Sequence, residues 1–138
     1  MASLIFNRAL EQWAKGTIDF DTDTFKVMLT TSSYSENKDT DDFRNDVTNE
    51  VTGTGYTAGG NTATVTVTLD TANDRIDISL GGTTWTTSTI TARKAVYYKS
   101  RGGASSADEI IAVNDFGSDV ITSGGTFTLN ASTLRIQN

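Results

Sequence analysis

The feature that most constrains this chain is an alternation of side chains with a period of two. Phe25, Val27 and Leu29 are separated by Lys26 and Met28, Val65, Val67 and Leu69 by threonines, and Ile76, Ile78 and Leu80 by Asp77 and Ser79. Successive side chains of a strand point to opposite faces, so each run reads as a half-buried β-strand. Between the second and third runs, Asp70-Thr71-Ala72-Asn73-Asp74 places turn formers between two alternating segments and predicts a hairpin. Further strands are expected at 90–99, 108–114, 125–130 and 132–137, separated by turns that carry Gly and Ser.

Only the start of the chain has a helical period. Ile5, Phe6, Ala9, Leu10 and Trp13 fall on one helical face, Ser3 stands at the N-cap position, and Gly16 is placed to end the helix in a left-handed conformation. This predicts an amphipathic helix within residues 1–16 that docks either on the domain's own core or on a neighbouring subunit. With many Thr-, Val- and Ile-rich strands and no alternating β-helix-β pattern, the fold class follows. It is mainly β, an antiparallel sandwich or barrel of jelly-roll-like kind, with one short N-terminal helix. A length of 138 residues suits a single domain, because two halves would each bury too little surface to offset their chain entropy. Residues 32–60 mix charge, turn formers and scattered apolar anchors, and read as a long surface excursion with one short strand near 47–52.

Composition removes several chemistries. The chain has no cysteine and no histidine, so disulfides, thiol catalysis, Cys-based zinc sites and Ser-His or Cys-His nucleophile systems are excluded. Proline is absent too, and the turns therefore rest on Gly, Asn, Asp and Ser. A net charge of −6 repels phosphate backbones and anionic lipid headgroups, so neither nucleic acid nor a membrane is expected as a partner. No stretch approaches the roughly 18 consecutive apolar residues of a spanning helix, and Asn7 and Arg8 interrupt the apolar start where a signal peptide would continue. The expectation is a protein made and kept in a cytoplasm.

Four motifs invite a sharper chemistry. Asp19, Asp21 and Asp23 resemble the opening of a calcium loop, but Thr24 stands where a Gly is needed and Thr30 where a bidentate Glu belongs, so a solvated turn is expected and no cofactor. Gly53-Thr54-Gly55-Tyr56-Thr57-Ala58 fits a loose dinucleotide fingerprint, yet a Thr/Val strand follows it instead of a helix, and a flexible loop is the expectation. Arg93, Lys94, Lys99 and Arg101 surround Tyr97 and Tyr98. In a strand the two tyrosines point to opposite faces, which argues against base stacking and leaves a basic stripe that could meet an acidic partner. The chain carries 17 acidic residues, and sequence alone selects no pair for glycosidase chemistry.

Read end to end, the chain resembles a group of small virion proteins of tailed bacteriophages. The residues that carry the resemblance are Gly16-Thr17-Ile18-Asp19, the run from Asp23 to Tyr34, the run from Asp42 to Val51, and Gly53-Thr54-Gly55-Tyr56-Thr57-Ala58-Gly59-Gly60. Later come Thr84-Trp85-Thr86, Ile90-Thr91-Ala92-Arg93, Ala95-Val96-Tyr97-Tyr98-Lys99 and Asp115-Phe116-Gly117, while residues 99–107 lack the acidic residue expected after the Tyr-Lys strand. The resemblance implies a non-enzymatic structural role in a virion assembled in a bacterial cytoplasm. It favours a capsid decoration or cement protein, bound to the major capsid protein and to copies of itself, over a tail, baseplate or fibre component that touches the host. It brings no catalytic residues. Buried aromatic anchors dominate binding energies, so the interface candidates are Trp13, Tyr34, Phe43 and Tyr56.

Overall fold

The structure is a computed structural model that describes residues 3–138; Met1 and Ala2, part of the expected helical segment, lie outside the described residues. The chain runs through strand β1 (Leu4–Ile5), helix α1 (Asn7–Ala14), β2 (Phe25–Thr30), β3 (Asn61–Ala63), β4 (Val65–Asp70) and β5 (Arg75–Leu80). It continues through β6 (Thr83–Ser88), β7 (Thr91–Lys99), β8 (Ile110–Ile121), β9 (Gly125–Leu129) and β10 (Ser132–Gln137), with short 3₁₀ turns at Arg44–Asp46 and Ser105–Ala107. Every strand pairing is antiparallel. A five-stranded sheet has the order β1-β8-β7-β2-β3, a three-stranded sheet the order β10-β5-β4, and β6 and β9 form a separate ribbon. The architecture is the expected one, a mainly β, sandwich-like antiparallel fold with one short helix.

The central strands of the large sheet are covered on both faces, which is why 95–98 and 110–113 are continuous apolar, buried runs rather than alternations. On one face Val27, opposite Tyr97, and Leu29, opposite Ala95, look toward the three-stranded sheet, and Asn114 reaches Ser132 of β10 at 2.9 Å. On the other face Lys94 and Tyr98 meet the 32–60 excursion. Lys94 Nζ donates to the Tyr34 carbonyl at 2.8 Å, Tyr98 Oη donates to the Gly59 carbonyl at 2.6 Å, and the Arg44 guanidinium lies 5.1 Å from the Tyr98 ring. The excursion is thus a packed flap that buries Tyr34 and Val51. The strand expected at 47–52 is reduced to one bridge, Thr30 to Glu50, because Asn61–Ala63 pairs with the first half of β2 instead.

The N-terminal segment departs from its sequence reading. Leu4 and Ile5 pair with Val113 and Ala112, so they form a strand that closes the edge of β8, whose main-chain groups would otherwise stay unpaired. The helix consequently begins at Asn7 with Phe6 at its N-cap, and Ser3 accepts a hydrogen bond from the Asp115 N–H at 2.9 Å instead of capping. Its end follows expectation. Gly16 has φ +75°, the Gly16 N–H donates to the Trp13 carbonyl and the Thr17 N–H to the Gln12 carbonyl, the two bonds of a Schellman close. The β4–β5 hairpin is also present, closed by the Asp70–Arg75 pair.

Candidate interaction surface

The basic residues near Tyr97 and Tyr98 are committed inside the molecule. Arg93 pairs with Asp115 at 2.7 Å, Lys94 with Glu36, Lys99 with Asp23 at 2.7 Å and Arg101 with Glu109 at 2.7 Å. The basic stripe facing an acidic partner is therefore corrected: Lys94 and Lys99 hold remote segments of their own chain against the sheet, and Arg93 and Arg101 pair with acids of the adjoining β8 region. Tyr97 and Tyr98 point to opposite faces as expected, and both are buried. The Asp19-Asp21-Asp23 run is a closed turn in which Asp19 Oδ1 accepts from the Asp21 N–H at 2.9 Å and Asp23 Oδ2 from the Asp19 N–H at 2.8 Å. Hydrogen bonds from Asp21 and Thr22 hold the Asp19 carboxyl below its usual range. The 53–60 loop is not a flexible connection either, since Thr54 bridges to Thr89 and Gly60 packs on the main chain of β2.

Of the four interface candidates, three are engaged within the chain. Tyr34 is core, 2% exposed, with its hydroxyl donating to Asp41 at 3.0 Å; burial and then that carboxylate push its ionisation upward. Tyr56 is half-buried against Trp85, accepts from the Leu29 N–H at 2.9 Å and donates to Glu50 at 2.8 Å. Burial, reinforced by Glu50, outweighs the Leu29 N–H and raises its pKa. Phe43 is half-buried beneath the Arg8 guanidinium, 5.7 Å from its ring centre, and its main chain bridges to Glu109. The reason is common to all three: a loop this long keeps its aromatics dry only by folding them back onto the sheet.

Trp13 alone remains on a free surface, 37% exposed, tilted against Phe20 at 6.2 Å. It borders an open groove of about 580 Å³ between the 13–21 segment and the inner face of the small sheet, where Val67, Leu69, Ile76 and Ile78 form the opposite wall. Leu69 also lines a second groove with Ile76 and Ile136. Sequence reading missed this surface. It took Val65, Val67 and Leu69 as a half-buried face, but Val67 is 42% and Leu69 69% exposed, because β4 is the outermost strand and overhangs the layer beneath. A smaller apolar spot, Val120 and Ile121, ends β8.

The fold and its surface together define a β-sandwich-like domain whose central cations are paired internally and whose larger apolar groove lies along the β4 edge, with a smaller apolar spot at Val120 and Ile121. No protein-family model, no curated protein and no solved structure matches the chain.

Proposed function

We propose that this protein is a non-enzymatic structural subunit of a tailed-phage particle, a capsid decoration or cement protein that works through contacts with the major capsid protein and with copies of itself. The observation that carries the reading is the groove between Trp13 and β4, an apolar strip on a chain whose other large aromatics and central cations are already engaged. Contiguous exposed apolar surface of this kind marks protein–protein contact. The phage-like runs of residues quoted above supply the virion context.

Quantitative composition of purified particles, after heads and tails are separated, tests the proposal. Hundreds of copies on heads support decoration. A few copies on tails replace it with an attachment role, and absence from particles removes both.

A further inference from the structure

The three-stranded sheet ends on β4, and no other segment among the described residues pairs with that strand's outer side. Which main-chain groups face outward follows from the hairpin. The Gly81 N–H donates to the Thr64 carbonyl at 2.7 Å, and the register pairs Val65 with Leu80. Antiparallel strands alternate bonded and non-bonded pairs, so Thr66 and Thr68 bond inward to β5 while Val65, Val67 and Leu69 turn their N–H and C=O groups to the open edge. Natural edges are usually blunted by charge, proline or a bulge, yet residues 65–69 read Val-Thr-Val-Thr-Leu and carry none of these. The opposite edge strand, β10, carries Arg135 on its outer face, paired with Asp77 at 2.7 Å.

We infer that β4 is a pairing edge for a second copy of this chain, joined antiparallel about a two-fold axis at Val67. The inference deepens the proposed contact between copies of this chain by naming its surface, and it stands on the edge strand, whether or not the protein belongs to a virion. Three outward-facing residues spaced symmetrically about Val67 make the edge self-complementary: Val65 meets Leu69 of the other copy, Val67 meets its equivalent, and Leu69 meets Val65. On the outer face Thr66 meets Thr68, a favourable cross-strand pair. Local charge does not oppose a second copy at this edge. The molecule carries −6, but the strip that would meet is neutral, and in this register Asp70 lies opposite Thr64 rather than another acid. The closed symmetry joins two three-stranded sheets into one of six and brings the two grooves side by side, covering Val67 and Leu69. A strand of about 20 Å gives a contact at the small end of stable interfaces, so the dimer is concentration-dependent.

Sedimentation velocity of the purified chain over a wide concentration range reads this directly, with mass rising from 14.8 kDa toward twice that value. Val67→Lys places two like charges at the axis on a position already 42% exposed, and the expected result is a folded monomer at every concentration. Ile121→Lys, on the separate apolar spot, is expected to leave association unchanged. The cysteine-free sequence permits a second reading by oxidation. Val67→Cys faces its own copy at about 5.5 Å between Cα atoms and cross-links, whereas Leu69→Cys lies four residues out of register, about 13 Å from its copy, and does not. A wild-type monomer throughout with Val67→Cys uncross-linked overturns the inference. So does a dimer dissolved by Ile121→Lys but not by Val67→Lys, or equal cross-linking at 67 and 69.

Discussion

At the scale of single residues, the ion pairs separate into those that matter and those that do not, and burial is the criterion. Asp108 is 1% exposed; it accepts from Arg44 Nε at 2.9 Å and from the Arg101 N–H at 2.8 Å, tying the flap to the 101–109 turn. Asp108→Ala leaves both donors short of a partner, and the expected cost is about 2–3 kcal/mol, less than for a fully buried pair because Arg44 is partly open to water. Arg135 pairs with Asp77 at the surface, where water screens the pair, and Arg135→Ala is expected to leave the unfolding midpoint close to that of the wild type. Urea denaturation of both variants checks the contrast; equal losses would contradict it. None of the buried cations could be assigned from sequence, because their partners are remote: Lys94 meets Glu36 across 58 residues, and Lys99 meets the Thr17 carbonyl across 82.

At the scale of elements, legibility depended on whether an element's environment was local. The β4–β5 hairpin and the helix close at Gly16 were readable because turn residues and their bonds lie within a few positions. β3 and β6 were not, since Asn-Thr-Ala and a Thr-rich run have weak patterns and gain their structure from the strands beside them. Alternation revealed the apolar face of β4 but not that this face overhangs the layer below it. Two glycines show how an element's packing sets its tolerance. At Gly60, with φ +68°, an added Cβ would sit 1.8 Å from the Val27 carbonyl oxygen, so Gly60→Ala must displace the flap from β2. At Gly16, with φ +75°, nothing lies within 4 Å. Gly16→Ala is therefore expected to cost about 1 kcal/mol of backbone strain, and Gly60→Ala about 3 kcal/mol or more. Thermal melts of the two variants compare them, and an equal shift would refute the close approach at Gly60.

At the scale of the whole molecule, all four tyrosines, 34, 56, 97 and 98, ionise above the ordinary value, in each case chiefly because burial disfavours the phenolate. Tyr98 is pushed up to about 12. A group whose folded pKa is raised contributes stability that is complete below its unfolded pKa, about 10 for tyrosine, and is lost as pH rises through the folded value. The expected outcome is an alkaline transition above pH ~10 in which phenolate absorbance and loss of β-sheet signal rise together; a tyrosine titrating with an ordinary midpoint in the folded protein would contradict it. The flap that shields two of these rings has a further consequence in time. Its fastenings join residues far apart in sequence, Arg44 to Asp108 across 64 positions and Lys94 to Tyr34 across 60, so the entropy of loop closure places them among the late contacts. Contacts absent from the folding transition state leave the folding rate nearly untouched and act on the rate of escape. The flap is then a clock more than a brace: Arg44→Ala, which removes the long-range bond and leaves the local Arg101–Asp108 bond in place, should steepen the decay of the folded population while refolding proceeds at the wild-type pace.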